Sequence, residues 1–322
     1  MPHQHDHGDT HGHGDTHGHG HTHGHAHGHS HAPASFGRAF AIGAGVNAAF
    51  VALQVACGLA AHSVALLADA MHNLGDVLGL LIAWGAAWLT TRAPTARRTY
   101  GWGRSSILAA LVNAVVLLLG CGAIGVEALQ RLATPTPVGT GLVVAVAAAG
   151  IVVNGGTALL FMRGRKGDLN VRGAFTHMAS DALVSFGVVL AGLLIELTGW
   201  LWLDPATSLA IVAVITFGTW SLLRQSVDLA MDAVPDGLDR PAIHAALAGL
   251  PGVMEVHDLH IWGLSTTSTA LTAHLVAEAP EPDLVGRACV LLRERFGIGH
   301  ATLQLETTAG AAACALRPDH VI

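Results

Sequence analysis

Charge is what this chain has least of. Asp, Glu, Lys and Arg make up 12% of its 322 residues, lysine occurs once, and aromatic residues contribute 5%. An ordinary soluble domain carries about twice that charged fraction, so a purely aqueous globule is excluded. The formal net charge of −6 leaves no basic surface of the kind that holds a polyanion, which excludes nucleic acid as a partner. Four cysteines, Cys57, Cys121, Cys289 and Cys314, show no paired spacing, so neither a disulfide framework nor a cysteine-based zinc site is expected. The first apolar run begins only after about 36 polar residues, which argues against a secretory signal.

What takes the place of charge is hydrocarbon. Hydrophobic residues reach 52% and the mean hydropathy is +0.51. Apolar windows fall at 38–60, 65–90, 105–130, 138–162, 172–195 and 200–223, each long enough for the roughly 20 residues that a bilayer demands. The expected fold is therefore an α-helical membrane protein of six transmembrane helices, followed by a small α+β domain. Its 39 glycines and abundant alanine suit close helix contact in lipid. Arg38, Arg92, Arg97, Arg98, Arg104, Arg163, Arg165, Lys166, Arg172 and Arg224 flank one face of these spans, and only Arg131 flanks the other. The positive-inside rule then puts both chain ends in the cytoplasm, across a plasma (inner) membrane. The excess of Arg over Lys points to a GC-rich, bacterial coding sequence. The expected layout is a His-rich tail over 1–36, a membrane domain over 37–225, a cytoplasmic domain over 226–310 and a short tail over 311–322.

Two of the spans carry ionisable groups. A charge near the middle of a membrane helix costs about 2.5–3.5 kcal/mol on insertion scales, so such a residue marks function by default. In the second window His72 precedes Asp76 by four positions, and in the fifth His177 precedes Asp181 by the same spacing. Residues four apart stack on one helix face, so two such helices face to face bring two imidazoles and two carboxylates to one point. That is a complete tetrahedral donor set for a divalent cation, zinc foremost, with the carboxylates neutralising its charge. An intramembrane metalloprotease would need a His-Glu-x-x-His helix, and none occurs. Asp69 reads either as a partner that orients His72 or as a helix-packing carboxylate. His62, at the outer mouth of the second span, reads as a solvated loop residue or as a receiver of departing metal.

Residues 1–32 hold thirteen His alternating with Gly, Asp and Thr. Such a tract buries too little apolar surface to fold, and is expected to be a disordered, unselective chelator. After Pro235 the pattern reads as helix 238–250, strand 252–262, strand 269–277, helix 282–296 and strand 301–307. That αββαβ order predicts helices on an antiparallel sheet, an α+β sandwich of ferredoxin-like type. With the hairpin turn centred at Ser265-Thr266, His257 falls across from His274 on one sheet face, a candidate second metal site. His260 and Trp262, of opposite parity, are expected to pack. His300 shares strand parity with Glu306 but lies roughly 20 Å from it along a straight strand, and stays outside the set.

Four stretches together resemble the cation diffusion facilitator family in its zinc-transporting branch. They are Leu67-Ala-Asp-Ala-Met-His-Asn-Leu-Gly-Asp76, Tyr100-Gly-Trp-Gly-Arg104, Asn170-Val-Arg-Gly-Ala-Phe-Thr-His-Met-Ala-Ser-Asp181 and Val256-His-Asp-Leu-His-Ile-Trp262. The resemblance runs from about residue 37 to 307. It implies a homodimeric, proton-coupled exporter of divalent metal with six spans and a cytoplasmic domain, in which zinc is both cargo and regulatory ligand. It also implies that His257, His274 and Glu306 occupy zinc-binding positions of that domain. Two departures stand out. The stretch from Thr90 to Arg104 carries no His, Asp or Glu, so a second site that some members have there is expected to be missing. The loop from Arg163 to Asn170 lacks the His cluster of some zinc-branch members, a role the N-terminal tail is expected to take over. The function expected is Zn2+/H+ antiport out of the cytoplasm, with a broader Zn, Co, Cd and Ni exporter as the alternative. A membrane-anchored metal store or sensor, the reading from another class, has no use for ionisable pairs inside two spans.

Overall fold

The computed structural model describes residues 38–90, 92–162, 169–278 and 283–317. The His-rich tract and most of the loop at 163–170 lie outside these residues, and so do the expectations attached to them.

Six long helices come first: α1 (Arg38–Ala60), α2 (Val64–Thr90), α3 (Ser105–Ala133), α4 (Thr140–Phe161), α5 (Leu169–Thr198) and α6 (Leu203–Ala230). The shortest has 22 residues and the longest 30, which at about 1.5 Å per residue matches a hydrocarbon core of roughly 30 Å. Among the described residues, Val64–Ile82, Ser105–Ala133, Phe175–Thr198 and Leu203–Ala230 are long and apolar enough to span by themselves. The other two helices hold the shorter apolar stretches Ala44–Ala60 and Thr140–Gly156. The chain is a multi-pass membrane protein.

Small side chains let these helices approach. The buried core mixes Ala61, Ala65, Ala68 and Ala147 with Leu66, Val143, Val188 and Ile211. Gly150 of α4 shows the need most directly, since a Cβ there would stand 2.9 Å from Ser185 Oγ on α5. One buried carboxylate fixes the start of α2. Asp204, in the first turn of α6, accepts from Ser63 Oγ at 2.5 Å, from Val64 N at 2.8 Å and from Ala65 N at 3.4 Å. Ser63 Oγ in turn accepts from Leu66 N at 3.1 Å. The first N–H groups of a helix have no partner within it, so these two side chains supply what the helix end lacks.

The α+β domain follows as α7 (Arg240–Ala248), β1 (Val253–Gly263), β2 (Thr269–Ala277), α8 (Leu284–Phe296), β3 (His300–Glu306) and α9 (Thr308–Ala313). The sheet order is β1-β2-β3. Strands β1 and β2 pair antiparallel with His257 opposite His274 as expected, by way of a register shift between His257 and His260. The expectation of a wholly antiparallel sheet is corrected: β2 and β3 are parallel. Helix α8 connects them as a crossover, and a strand reached by such a crossover re-enters the sheet in the same direction. Ile243 and Leu247 of α7 and Leu292 of α8 pack against Leu259, Ile261, Leu271 and Leu275, so both helices cover one face of the sheet. The alternate residues His257, His274 and Glu306 point to the other face, over which α9 packs on β2 and β3.

The hairpin tip reaches the membrane helices. Thr266 N donates to Ser106 Oγ at 3.1 Å, and Arg104 pairs with Asp232 beyond the end of α6. A Cβ on Gly103 would meet Leu264 O at 2.7 Å, so this approach requires glycine. The domain thus sits at the end of the bundle where α2 finishes and α3 begins.

Candidate metal centres

The sequence spacing becomes geometry where α2 meets α5. His72 Nε2 lies 2.9 Å from Asp181 Oδ1. His177 Nε2 lies 3.4 Å from Asp76 Oδ1 and 3.6 Å from Asp181 Oδ2. Donor atoms of His72, Asp76 and Asp181 all fall within 4.8 Å of one another. With metal–nitrogen and metal–oxygen lengths of about 2.0–2.1 Å, an ideal tetrahedron has edges of roughly 3.3–3.4 Å. These three separations bracket that value; His177 reaches both carboxylates but stands outside the three-residue group, its ring centroid 6.5 Å from that of His72.

The pairing is crosswise, and the reason is simple. Four positions forward on α2 correspond to four positions back on α5, so each imidazole meets the other helix's carboxylate. Asp181 is the buried member at 3% exposure, while His72, His177 and Asp76 are 21%, 24% and 30% exposed. Asp76, the most open, lies one turn nearer the end of α2 that meets the α+β domain.

One turn to the other side sits a buried polar network that sequence reasoning left open. Asp69 Oδ2 accepts from Gln54 Nε2 at 2.7 Å and from Ser185 Oγ at 3.4 Å, and Gln54 Oε1 accepts from Asn73 Nδ2 at 2.9 Å. Asp69 therefore ties α1, α2 and α5 together beneath the cluster. Of its two readings, helix packing is the one these bonds support. His62 adopts a left-handed turn conformation and its carbonyl accepts from Arg131, which stabilises the α1–α2 turn.

The second cluster lies on the face of the sheet opposite α7 and α8, beneath α9. His257 is 3% exposed, yet neither of its ring nitrogens has a hydrogen-bond partner, and Glu306 Oε2 has none either. Leaving such a buried polar group unsatisfied costs about 1–3 kcal/mol, a penalty that a bound cation removes. His257 Nε2 stands 3.4 Å from Glu306 Oε2, and His274 Nδ1 stands 3.0 Å from Glu306 Oε1. Each imidazole turns its other nitrogen to a carboxylate, His274 Nε2 to Asp258 at 3.6 Å and His257 Nδ1 to Glu255 at 3.7 Å. Carboxylates so placed orient metal-bound imidazoles. Glu255 is itself gripped by both ends of the Arg317 guanidinium, at 2.7 and 3.0 Å, which holds its carboxyl below the usual range. The residues present fit a metal ion.

Three expectations meet different outcomes here. His300 lies at the far end of β3 with its ring 5.4 Å from Tyr100, outside the cluster as the strand length requires. His260 was expected to pack but is exposed and bonded to Asp258 Oδ1 at 2.9 Å. A register shift between His257 and His260, where Asp258 has φ of 50°, breaks the alternation that parity assumed. Cysteine was expected to take no part, yet Cys314 Sγ lies 3.7 Å from His274 Nδ1, within the same group of donors.

A profile of the cation efflux transmembrane domain matches residues 41–229, and one of the cation efflux protein cytoplasmic domain matches 235–308. The chain belongs to the cation efflux family. Like other cation diffusion facilitators it is a metal cation transporter and no enzyme. Among its relatives, the metal cation efflux system protein CzcD of Cupriavidus metallidurans is 34% identical over 85% of this chain and 88% of its own length. A cadmium, cobalt and zinc/H(+)-K(+) antiporter of Bacillus subtilis is 33% identical over 81% of this chain and 86% of its own. The zinc transporter ZitB of Escherichia coli is 36% identical over 81% and 85%. Both clusters fall inside the matched segments, apart from Cys314, which lies beyond the second.

Proposed function

We propose that this cation efflux protein carries zinc out of the cytoplasm across the plasma membrane in exchange for protons. His72, Asp76, His177 and Asp181 hold the ion in passage. The observation that carries the reading is the crosswise pairing of imidazole and carboxylate near the middle of α2 and α5. Two imidazoles and two carboxylates are a donor set that suits zinc, and the carboxylates offset its charge where lipid cannot. Zinc takes imidazole and carboxylate in their deprotonated forms, so protons compete for the same side chains and loading releases them. Both chain ends lie in the cytoplasm and the protein works as a homodimer. In its soluble domain His257, His274 and Glu306 hold a second, retained zinc, which supplies a cross-link between β1, β2 and β3.

The test is flux in inside-out vesicles. Zinc accumulation in an acidic lumen should rise with the pH difference and collapse when a protonophore dissipates it. Flux indifferent to the gradient, at fixed zinc and membrane potential, would leave only a passive facilitator.

A further inference from the structure

The sheet cluster has a neighbour that strand spacing does not announce. After β3 the chain caps α9 with Thr307, whose hydroxyl accepts from Gly310 N at 3.2 Å, and turns back over the polar face of the sheet. It arrives there with two contacts. Cys314 Sγ stands 3.7 Å from His274 Nδ1, and its donor atom lies within 4.8 Å of those of His257, His274 and Glu306. Three residues on, Arg317 grips Glu255, the carboxylate behind His257.

Bond lengths decide whether the sulfur is a neighbour or a ligand. With zinc–sulfur at about 2.3 Å and zinc–nitrogen at about 2.0–2.1 Å, the sulfur–nitrogen edge of a tetrahedron is roughly 3.6 Å. The observed 3.7 Å is that edge. Three donors leave a zinc site open, as sites that turn over are, whereas structural sites close with a fourth protein ligand. The buried Nε2 of His257, without a hydrogen-bond partner, faces the same space from beside Glu306.

We infer that Cys314 is the fourth ligand of the cytoplasmic metal, so that the C-terminal segment 308–317 clamps the ion against the sheet. This rests on the His257, His274 and Glu306 site proposed above. The completed set of two imidazoles, one carboxylate and one thiolate favours zinc, cobalt or cadmium over magnesium and manganese, which prefer oxygen. Arg317 belongs to the same clamp: by holding Glu255 it fixes the ring that Glu255 faces.

The probe is Co2+ added to the full-length, detergent-solubilised protein under reducing conditions. Thiolate bound to Co2+ gives a charge-transfer absorption in the near ultraviolet that imidazole and carboxylate do not, so the His-rich tract contributes nothing to it. The band should appear in the native chain and in one with Cys57, Cys121 and Cys289 all changed to Ser, and vanish in Cys314→Ser. Arg317→Ala should keep the band and weaken binding about tenfold. No band in the native chain, or one that survives Cys314→Ser, overturns the inference. If the band is absent while His257→Ala with His274→Ala still removes one bound zinc per chain, the three-ligand site stands and only Cys314 leaves it. If that double variant loses no zinc, the site itself falls. A second readout needs no variant at Cys314: in the chain whose other cysteines are Ser, zinc should slow its alkylation at least about tenfold. Equal rates with zinc and with chelator overturn the assignment.

Discussion

The two clusters draw on the same chemistry and differ in how tightly they enclose it. The α2–α5 cluster has two imidazoles and two carboxylates, three of the four more than a fifth exposed. The sheet cluster buries His257 and Glu306, backs both imidazoles with carboxylates and covers them with a returning segment. An ion that must leave needs ligands that protons and water can reach. An ion that is to stay needs ligands whose orientation is fixed and whose alternatives are removed. Under the proposed function, the contrast between passing and retained metal lies in burial and in outer carboxylates more than in ligand identity.

The contrast breaks most visibly at Asp181, the buried carboxylate shared by both imidazoles of the membrane cluster. Asp181→Ala should lower zinc flux more than about 100-fold, beyond what loss of an outer partner does, while the dimer remains intact in detergent. Flux within twofold of the native protein would remove the cluster from the pathway. A smaller effect is expected at the sheet. His257→Ala with His274→Ala should remove one bound zinc per chain and lower flux only several-fold, whereas abolished flux would erase the distinction between the two sites. Smallest of all is deletion of residues 1–32. Maximal flux should stay unchanged and transport should weaken only at low zinc, since a chelating tract raises local metal without shaping the translocation step. Lost flux at saturating zinc would put the tract on the pathway.

What could be read from sequence was what repeats locally. Helix spans follow from the length of apolar runs, and the meeting of imidazole and carboxylate between α2 and α5 follows from a four-residue spacing that a helix turns into one face. The His257–His274 pair was expected from the hairpin turn and is found, but the residues next to the turn pair one position out of that register and the shift between His257 and His260 restores it. The parallel pairing of β2 and β3 was legible too, since a helix sits between them, but the αββαβ order was read for its layers and not for strand direction. Cys314 was missed because cysteines were judged by spacing to other cysteines, and a ligand that returns from a separate segment carries no such signal. Asp204 and the Gln54–Asp69–Ser185 network were illegible for a related reason. Their partners lie on other helices, and no periodicity links Ser63 to Asp204 or Gln54 to Asp69.

The crosswise order of ligands on α2 and α5 carries a last consequence. Exchange the two helices and turn the cluster end for end, and the same list of atoms returns, one imidazole and one carboxylate from each. In ligand identity, though not in burial, a donor set of that kind is the same from either aqueous phase. Identity alone supplies no direction. Under the proposed antiport, net direction therefore belongs to the gradients and to the conformational equilibrium they bias, and microscopic reversibility applies to the whole cycle. With the proton gradient reversed, the same molecule is an importer.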